Sequence, residues 1–305
     1  MFQKIGLIPL PAVRPAWMHT HAFLPNVFAL DNHTLRIVAA FRDAANIGRI
    51  GYIDVRADDP LKTVGFSEKP GLDIGTPGAF DDNGVSPLSI VFHEGKLRLY
   101  YCGWQLSDKV RYFLFTGLAE STDFGVSYTR FKKTPILERT DMEMTVRAAG
   151  LVQREGDHWK MYYSGGSEMV DAAGKSTPTY DMLSMRSADG IHWPDHGTSI
   201  FAPDLARKEF GYGRPFVMQQ NGIWRMWYGY RHLEKGYIMG YAESADGEHW
   251  VRQDEAMGTF NSDNWPHDAE MRAYPSFSTT PSGTYMFYNG NGYGKEGICV
   301  AKLLR

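Results

Sequence analysis

The stretch Trp224-Arg-Met-Trp-Tyr-Gly-Tyr230, followed by Gly240-Tyr-Ala-Glu-Ser-Ala-Asp-Gly-Glu-His-Trp250, decides the fold because it recurs. An earlier copy reads Trp159-Lys-Met-Tyr-Tyr-Ser-Gly-Gly166, then Met185-Arg-Ser-Ala-Asp-Gly-Ile-His-Trp193. Before it stands Leu97-Arg-Leu-Tyr-Tyr-Cys-Gly-Trp104, then Gly117-Leu-Ala-Glu-Ser-Thr-Asp-Phe-Gly125. Looser copies flank these three: Leu35-Arg-Ile-Val-Ala-Ala-Phe41 with Ile50-Gly-Tyr-Ile-Asp-Val55, and Thr284-Tyr-Met-Phe-Tyr-Asn-Gly290 with Gly297-Ile-Cys-Val-Ala-Lys302. Each copy is an alternating strand, a loop, a second strand and a turn. A unit of this size that repeats over a whole chain predicts a four-stranded blade, and five units predict a five-bladed β-propeller. The expected fold is therefore all-β, with four-stranded antiparallel blades around a central ligand pocket, in one domain spanning residues 1–305.

The Ser-x-Asp-Gly-x-x-Trp turn has a physical logic. Aspartate accepts local backbone N–H groups, glycine supplies a positive φ, and tryptophan fills the gap to a neighbouring sheet. Asp189, Asp246, Trp193 and Trp250 are thus expected to be structural, since catalysis does not need one residue per blade.

The rest of the composition narrows the class. The 305 residues are 43% apolar and 14% aromatic, with a formal net charge of −3, which suits a soluble globular core. No basic stripe tracks a phosphate backbone, so nucleic acid is excluded as a general partner. Cys102 and Cys299 make no disulfide framework and read as buried thiols. Met1–Arg14 lacks the apolar run of a secretory signal, and no stretch nears the roughly 20 apolar residues of a membrane span. A cytoplasmic location and no cofactor or metal are expected, and the oligomeric state is left open.

A propeller lines its axis with the first strand of each blade. Five segments precede the tyrosine-rich strands: His19–Pro25, Asp81–Pro87, Thr145–Gly150, Tyr212–Val217 and Glu270–Pro275. Pro25, Pro87 and Pro275 set a common register, whose first column reads Ala22, Gly84, Arg147, Arg214 and Arg272. Two residues earlier, on the same face of an alternating strand, the column reads Thr20, Asp82, Thr145, Tyr212 and Glu270. One inward face would then carry Asp82 and Glu270 with three arginines. The alternative is an ion-pair ring that plugs the channel. Two carboxylates cannot satisfy three guanidinium groups, so the spare donors invite an anion. Asp81 would point to the opposite face, where turn capping is an equal reading. His19 and His21 form a His-x-His pair without a third ligand, a weak metal signal. Arg42 and Asp43 lie just past a second strand and could reach over the mouth. Glu143 and Glu209 are rim candidates. Tyr180 follows a polar insertion, Asp171–Thr179, that could lie over the site. Trp104, Tyr230 and Tyr293 stand at strand ends, where rings could stack on a sugar.

The Ser-Ala-Asp-Gly-x-His-Trp turns and the Met-Tyr-Tyr-Ser-Gly and Met-Trp-Tyr-Gly strands resemble the five-bladed propeller glycosidase superfamily, which includes arabinanase, invertase and mannoside phosphorylase types. Phe80–Val85 and the run ending at Val55 look like glycosidase-like proteins of bacterial surface-polysaccharide synthesis. The resemblance implies action on a glycosidic bond, with glycosyl transfer or a non-catalytic carbohydrate-binding propeller as alternatives. The invertase types carry a carboxylate in the first blade, where this chain reads Met18-His-Thr-His-Ala-Phe-Leu24. Ser121–Tyr128 also resembles the Asp-box of sialidases, but no Phe-Arg-Ile-Pro segment accompanies it. On the register alone, Glu270 is the expected general acid and Asp82 the base or nucleophile. Arg147, Arg214 and Arg272 would hold an anionic group, with His21, Asp81, Arg42, Asp43, Tyr212 and Tyr180 as further ligand contacts.

Overall fold

The computed structural model describes residues 2–172 and 174–304. The strands are β1 (Phe2–Pro9), β2 (Thr20–Ala29), β3 (Thr34–Arg42), β4 (Gly48–Arg56), β5 (Thr63–Phe66), β6 (Val85–His93), β7 (Lys96–Leu106), β8 (Tyr112–Ser121) and β9 (Thr129–Arg130). They continue as β10 (Val146–Glu155), β11 (His158–Gly166), β12 (Met169–Ala172), β13 (Lys175–Pro178), β14 (Asp181–Ser187), β15 (Thr198–Phe201) and β16 (Glu209–Gln220). The last are β17 (Ile223–His232), β18 (Gly236–Ser244), β19 (Val251–Arg252), β20 (Ala273–Thr280), β21 (Gly283–Asn289) and β22 (Gly297–Leu303). Strand order is β2-β3-β4-β5 in one antiparallel sheet, β16-β17-β18-β19 in another, and β1-β22-β21-β20 in a third. Two further meanders, β6 to β9 and β10-β11-β14-β15, join where β8 and β10 pair in parallel through Val146–Leu114 and Arg147–Phe115. The fold is all-β, built from four-stranded antiparallel sheets. Strand β1, the first in the chain, completes the sheet of the last.

The first strands of the meanders are neighbours in a closed cycle: β2 against β6, β6 against β10, β10 against β16, β16 against β20, and β20 against β2. Close approach there demands small residues. A Cβ on Gly150 would come within 2.4 Å of Pro215 Cδ, so β10 and β16 pack with no side chain between them.

The two Asp-Gly turns each tie their sheet to the one before it. Asp189 Oδ1 accepts from the N–H groups of Ile191 and His192, and Asp246 Oδ1 from those of Glu248 and His249. The preceding sheet then grips the turn: Tyr100 Oη donates to Gly190 O at 2.8 Å, and Lys160 Nζ to Gly247 O at 2.7 Å. Trp250 meets Tyr162 of the preceding sheet edge to face, with ring centroids 6.1 Å apart. Cys102 and Cys299 are free and buried. Among the described residues no helix is long and apolar enough to cross a membrane.

A second device sits at the foot of the first strands. A buried carboxylate accepts from a tyrosine on the second strand and from a cation. Asp81 takes Tyr101 Oη at 3.0 Å and Arg130 Nε at 2.8 Å. Glu143 takes Tyr163 Oη at 2.6 Å and Arg147 Nε at 2.5 Å. Asp268 takes Tyr288 Oη at 2.6 Å, Arg272 Nη2 at 3.1 Å and Lys4 Nζ at 2.8 Å. Glu209 takes Tyr212 Oη at 2.6 Å and both terminal nitrogens of Arg252 at 2.9 Å, while Tyr228 turns to Asp254. The first sheet lacks the device: Ala39 faces Gly51 where Tyr101 faces Gly117 and Tyr228 faces Gly240.

Because Lys4 lies on β1, Asp268 holds the two ends of the chain together. Asp268→Ala removes the fully buried carboxylate that Lys4 and Arg272 share, leaves them only the partly exposed Asp263, and is expected to cost about 3 kcal/mol in urea unfolding. Glu270→Gln, on an exposed turn two residues away, is expected to stay within about 0.5 kcal/mol. Equal effects from both substitutions would remove Asp268 from this role.

Candidate functional site

The register expected for the inner face does not survive the real strands, because each is broken by a bulge. Pairing skips Leu24 and Pro25 in β2, Leu88 in β6, Gly150 in β10, Arg214 and Pro215 in β16, and Tyr274 and Pro275 in β20. Leu24, Arg214 and Tyr274 have positive φ values of 56°, 33° and 60°, uncommon for side-chain-bearing residues. A bulge resets the two-residue alternation, so a column counted in strict period does not stay on one face. With the bulge as the common mark, Arg214 aligns with Leu24 and Tyr274, not with Arg272.

The expected arginine ring therefore comes apart. Arg147 lies buried on Glu143 and also donates to Glu138 O and Pro194 O. Arg272 is taken by Asp268 and Asp263. Tyr212 is bound to Glu209. These three, with Asp81, Glu143 and Glu209, belong to the foot of the sheets. Only Arg214 reaches across the axis, donating to Leu88 O at 3.0 Å and Tyr274 O at 3.2 Å. Asp43 caps its own turn, accepting from Ala45 and Ile47 N–H, and pairs with Arg49 at 2.6 Å. Asp82 is half-buried in the turn before β6, its oxygens accepting from Gly78 N–H at 2.8 Å and Asn83 Nδ2 at 2.6 Å. Glu270 is exposed, and only its backbone is tied, N–H to Asn291 Oδ1. Among the described residues no contact joins Asp82 to Glu270 or either one to an arginine. Among the described residues no three His, Cys, Asp or Glu side chains gather as a metal cluster.

A second set of side chains converges at the same end, where the first strands begin. Tyr180 Oη and Tyr237 Oη share a hydrogen bond of 2.7 Å, and Arg231 Nη1 donates to Tyr180 Oη at 3.3 Å. The Arg231 guanidinium stacks 4.2 Å from the Phe210 ring. Tyr237 packs on Tyr274 at 5.2 Å and Tyr293 at 6.1 Å, and Phe23 on the same two rings at 5.3 and 6.0 Å. Arg42 lies 5.4 Å over Phe23, and Trp104 lies 5.1 Å from Tyr112. Tyr112 feels Tyr180, Arg231 and Tyr293, which brings the second meander into the same bowl.

The local backbone explains the placement. Each second strand ends at this rim, so Arg42 closes β3 and Arg231 stands near the end of β17. Tyr180 comes off the β12–β13 hairpin and is pinned by Tyr212 N–H to its carbonyl at 3.1 Å. Tyr293 has φ 62° and its N–H meets Met271 Sδ at 3.3 Å, so a strained turn presents its ring.

The bowl is cationic and phenolic. Burial lowers the pKa of Arg42, whose titrating neighbours are Tyr274 and Tyr293 and include no carboxylate. Burial also opposes the charge of Arg231, but the phenols of Tyr180, Tyr237, Tyr112 and Tyr293 outweigh it and raise its pKa. Neither guanidinium has a carboxylate within 4.0 Å among the described residues. Burial, then the nearby charges of Arg42 and Lys295, lowers His21 to about 4, so the ring is neutral at pH 7. Burial raises Tyr237 and Tyr274 well above the usual phenol value, so both remain protonated donors.

Of the expected contacts, the bowl unites Tyr180, Arg42, Tyr293, Trp104 and, through Arg42, His21. It adds Arg231, Tyr237, Tyr274 and Tyr112. The signal for Arg231 was its position: it follows the tyrosine-rich strand as Arg42 follows the first copy's second strand.

No known protein-family profile matches the chain. It is 29% identical over 304 residues to the uncharacterized protein Rv1502 of Mycobacterium tuberculosis strain H37Rv, covering 99% of both chains, and equally to MT1551 of strain CDC 1551. Among solved structures, a BT0996–RGII complex superposes with a TM-score of 0.73 at 18% identity, over 100% of this protein and 93% of the other. A glycoside hydrolase gives 0.72 at 18% identity, over 98% and 92%, and a thermostable family-43 glycoside hydrolase 0.65 at 14% identity, over 98% and 91%. These likenesses show a shared fold: the chain has the β-propeller-type architecture seen in these solved glycoside hydrolases.

Protonation of His21 supplies a test of the bowl's electrostatics. The folded pKa of about 4 lies below the ordinary 6.5, so the unfolded chain takes up the proton first as pH falls. The group costs nothing above pH 6.5 and lowers stability progressively from pH 6.5 to about 4. His21→Gln is expected to lose less melting temperature than the wild type over that window. Parallel curves would mean that His21 is not held neutral by burial and by Arg42.

Proposed function

We propose that the chain is a single-domain, five-bladed β-propeller whose axial bowl binds an anionic sugar or sugar conjugate. The observation that carries this reading is the pair Arg42 and Arg231. Both are half-buried guanidinium groups, both lie within range of Tyr293, and neither has a protein carboxylate partner among the described residues. An uncompensated cation in a low-dielectric site favours an incoming anion. Around the two cations, Trp104, Tyr112 and Tyr293 supply flat faces for a sugar ring, and the Tyr180–Tyr237 pair supplies hydroxyl donors and acceptors. A carboxylate, phosphate or nucleotide-sugar pyrophosphate meets these requirements.

A second reading, catalysis at a glycosidic bond by hydrolysis or transfer, is supported by the similar solved structures, which include a family-43 glycoside hydrolase. It draws on Asp82, a half-buried carboxylate at the foot of β6 with no cation on it. Such chemistry calls for a second carboxyl group about 5–9.5 Å away. Glu270 remains the proposed partner, its carboxylate exposed and free of ion pairs among the described residues. The polysaccharide-assembly setting implied by the sequence resemblance fits either reading.

The test is a thermal-shift panel of neutral sugars, uronic and ulosonic acids, sugar phosphates and nucleotide sugars, with each hit incubated and read by mass spectrometry. Anionic members are expected to raise the melting temperature, and Arg42→Gln or Arg231→Gln to weaken the best of them by about 10-fold or more. Stabilisation by neutral sugars alone would overturn the anionic reading. Turnover that Asp82→Asn abolishes without loss of fold would establish the catalytic one; binding without turnover would leave a carbohydrate-binding propeller.

A further inference from the structure

Beneath the bowl, along the same axis, lies a separate cavity of about 100 Å³. It is lined where the first strands continue past their bulges, by Arg214, Asn26, Ser89, Ser276, Phe28 and Phe216 among others. Arg214 is 5% exposed. Its Nε and Nη1 donate to Leu88 O and Tyr274 O, two carbonyls contributed by two other first strands. Its Nη2 has no protein acceptor among the described residues. Among the described residues Tyr274 is the one titratable neighbour that acts on it, and no carboxylate does. Burial pushes the guanidinium down to about 9, still charged at neutral pH.

The other polar groups are already partly committed. Ser89 Oγ bonds both N–H and C=O of Val152, and Asn26 Nδ2 donates to Leu24 O. Ser276 Oγ accepts from Val27 N–H at 3.1 Å, which leaves its hydroxyl proton available. The cavity thus presents one uncompensated positive charge, a guanidinium N–H pair, one hydroxyl donor, and otherwise apolar walls. A buried charge of this kind is stable only when something of opposite sign accompanies it.

We propose that this cavity is a binding site for a small monovalent anion of the halide class, held by Nη2 of Arg214 and the hydroxyl of Ser276. Monovalency follows from the charge balance, since a single guanidinium carries the charge. The aromatic walls disfavour a strongly hydrated dianion. The bound anion acts structurally: it neutralises the one side chain that ties three of the first strands together at the axis. The site is independent of the sugar reading, because it shares no side chain with Arg42 or Arg231.

The wild-type chain is melted in chloride at constant ionic strength, with gluconate as the bulky replacement anion. A rise of about 5 °C is expected at 100-fold above the dissociation constant, growing with the logarithm of chloride concentration beyond it. Crystals grown in bromide are expected to show an anomalous peak in contact with the Arg214 guanidinium. Arg214→Met is expected to lose the chloride response, whereas an Arg42→Gln, Arg231→Gln double variant keeps it. If the double variant loses the response, the anion sits in the bowl and the proposal fails. If Arg214→Met does not fold, the bromide map on the wild type decides: no peak at Arg214 overturns the site.

Discussion

The buried carboxylate at the foot of each later sheet is the constraint on which the rest of the structure depends. Asp81, Glu143, Glu209 and Asp268 are almost fully withdrawn from solvent, and each is compensated by a phenol and a cation. Burying such a group without partners would cost several kcal/mol, so the partners must arrive together. The phenol and the cation come from different stretches of the same unit, or, for Lys4, from the other end of the chain. Asp81, Glu143 and Asp268 therefore lock the entry of a first strand onto its second, Glu209 ties its first strand to the fourth through Arg252, and in the last sheet the lock joins the two ends of the chain.

That lock has a functional consequence. Acidic residues at strand entries are where a sugar-cleaving site would be sought, and here four of them are consumed by structure. What remains at the mouth is the other population of strand-end residues: Arg42, Tyr112, Tyr180, Arg231, Tyr237 and Tyr293. Their guanidinium groups have no protein counterion among the described residues, and burial keeps the Tyr237 phenol protonated. On the proposed reading, this bowl of donors with net positive charge takes an acceptor with negative charge, and its aromatic walls take a ring with an apolar face.

The first sheet is the exception, and it is informative. It carries Ala39 where the others carry tyrosine, and no acid stands at its entry. In place of the buried carboxylate it presents His21, with φ 61° and a ring held neutral, beside Arg42. The axis is thus asymmetric, with one sheet free of the structural lock and carrying one of the bowl's two uncompensated cations.

The repeated Trp-x-Met-Tyr-Tyr and Ser-x-Asp-Gly motifs declared the all-β fold, the sheet units and the structural role of Asp189 and Asp246. Those features depend on local chemistry, on strand alternation and turn hydrogen bonds that a few neighbouring residues specify. Arg42, Tyr180, Tyr293 and Trp104 were also legible, because the end of a strand can be read from its sequence. The inner-face register was not. Bulges at Leu24, Leu88, Gly150, Arg214 and Tyr274 shift the alternation, and nothing in the sequence announces whether a bulge holds one residue or two. Nor could the sequence say which cation meets which carboxylate, since Arg130 and Asp81, or Lys4 and Asp268, find each other only in the folded chain. The sequence by itself determined the elements and their repetition; the tertiary structure alone decided which charges are neutralised and which are left to face a ligand. The reason is that ion pairing is a property of distance in space, and distance in space is set by how the sheets close on one another.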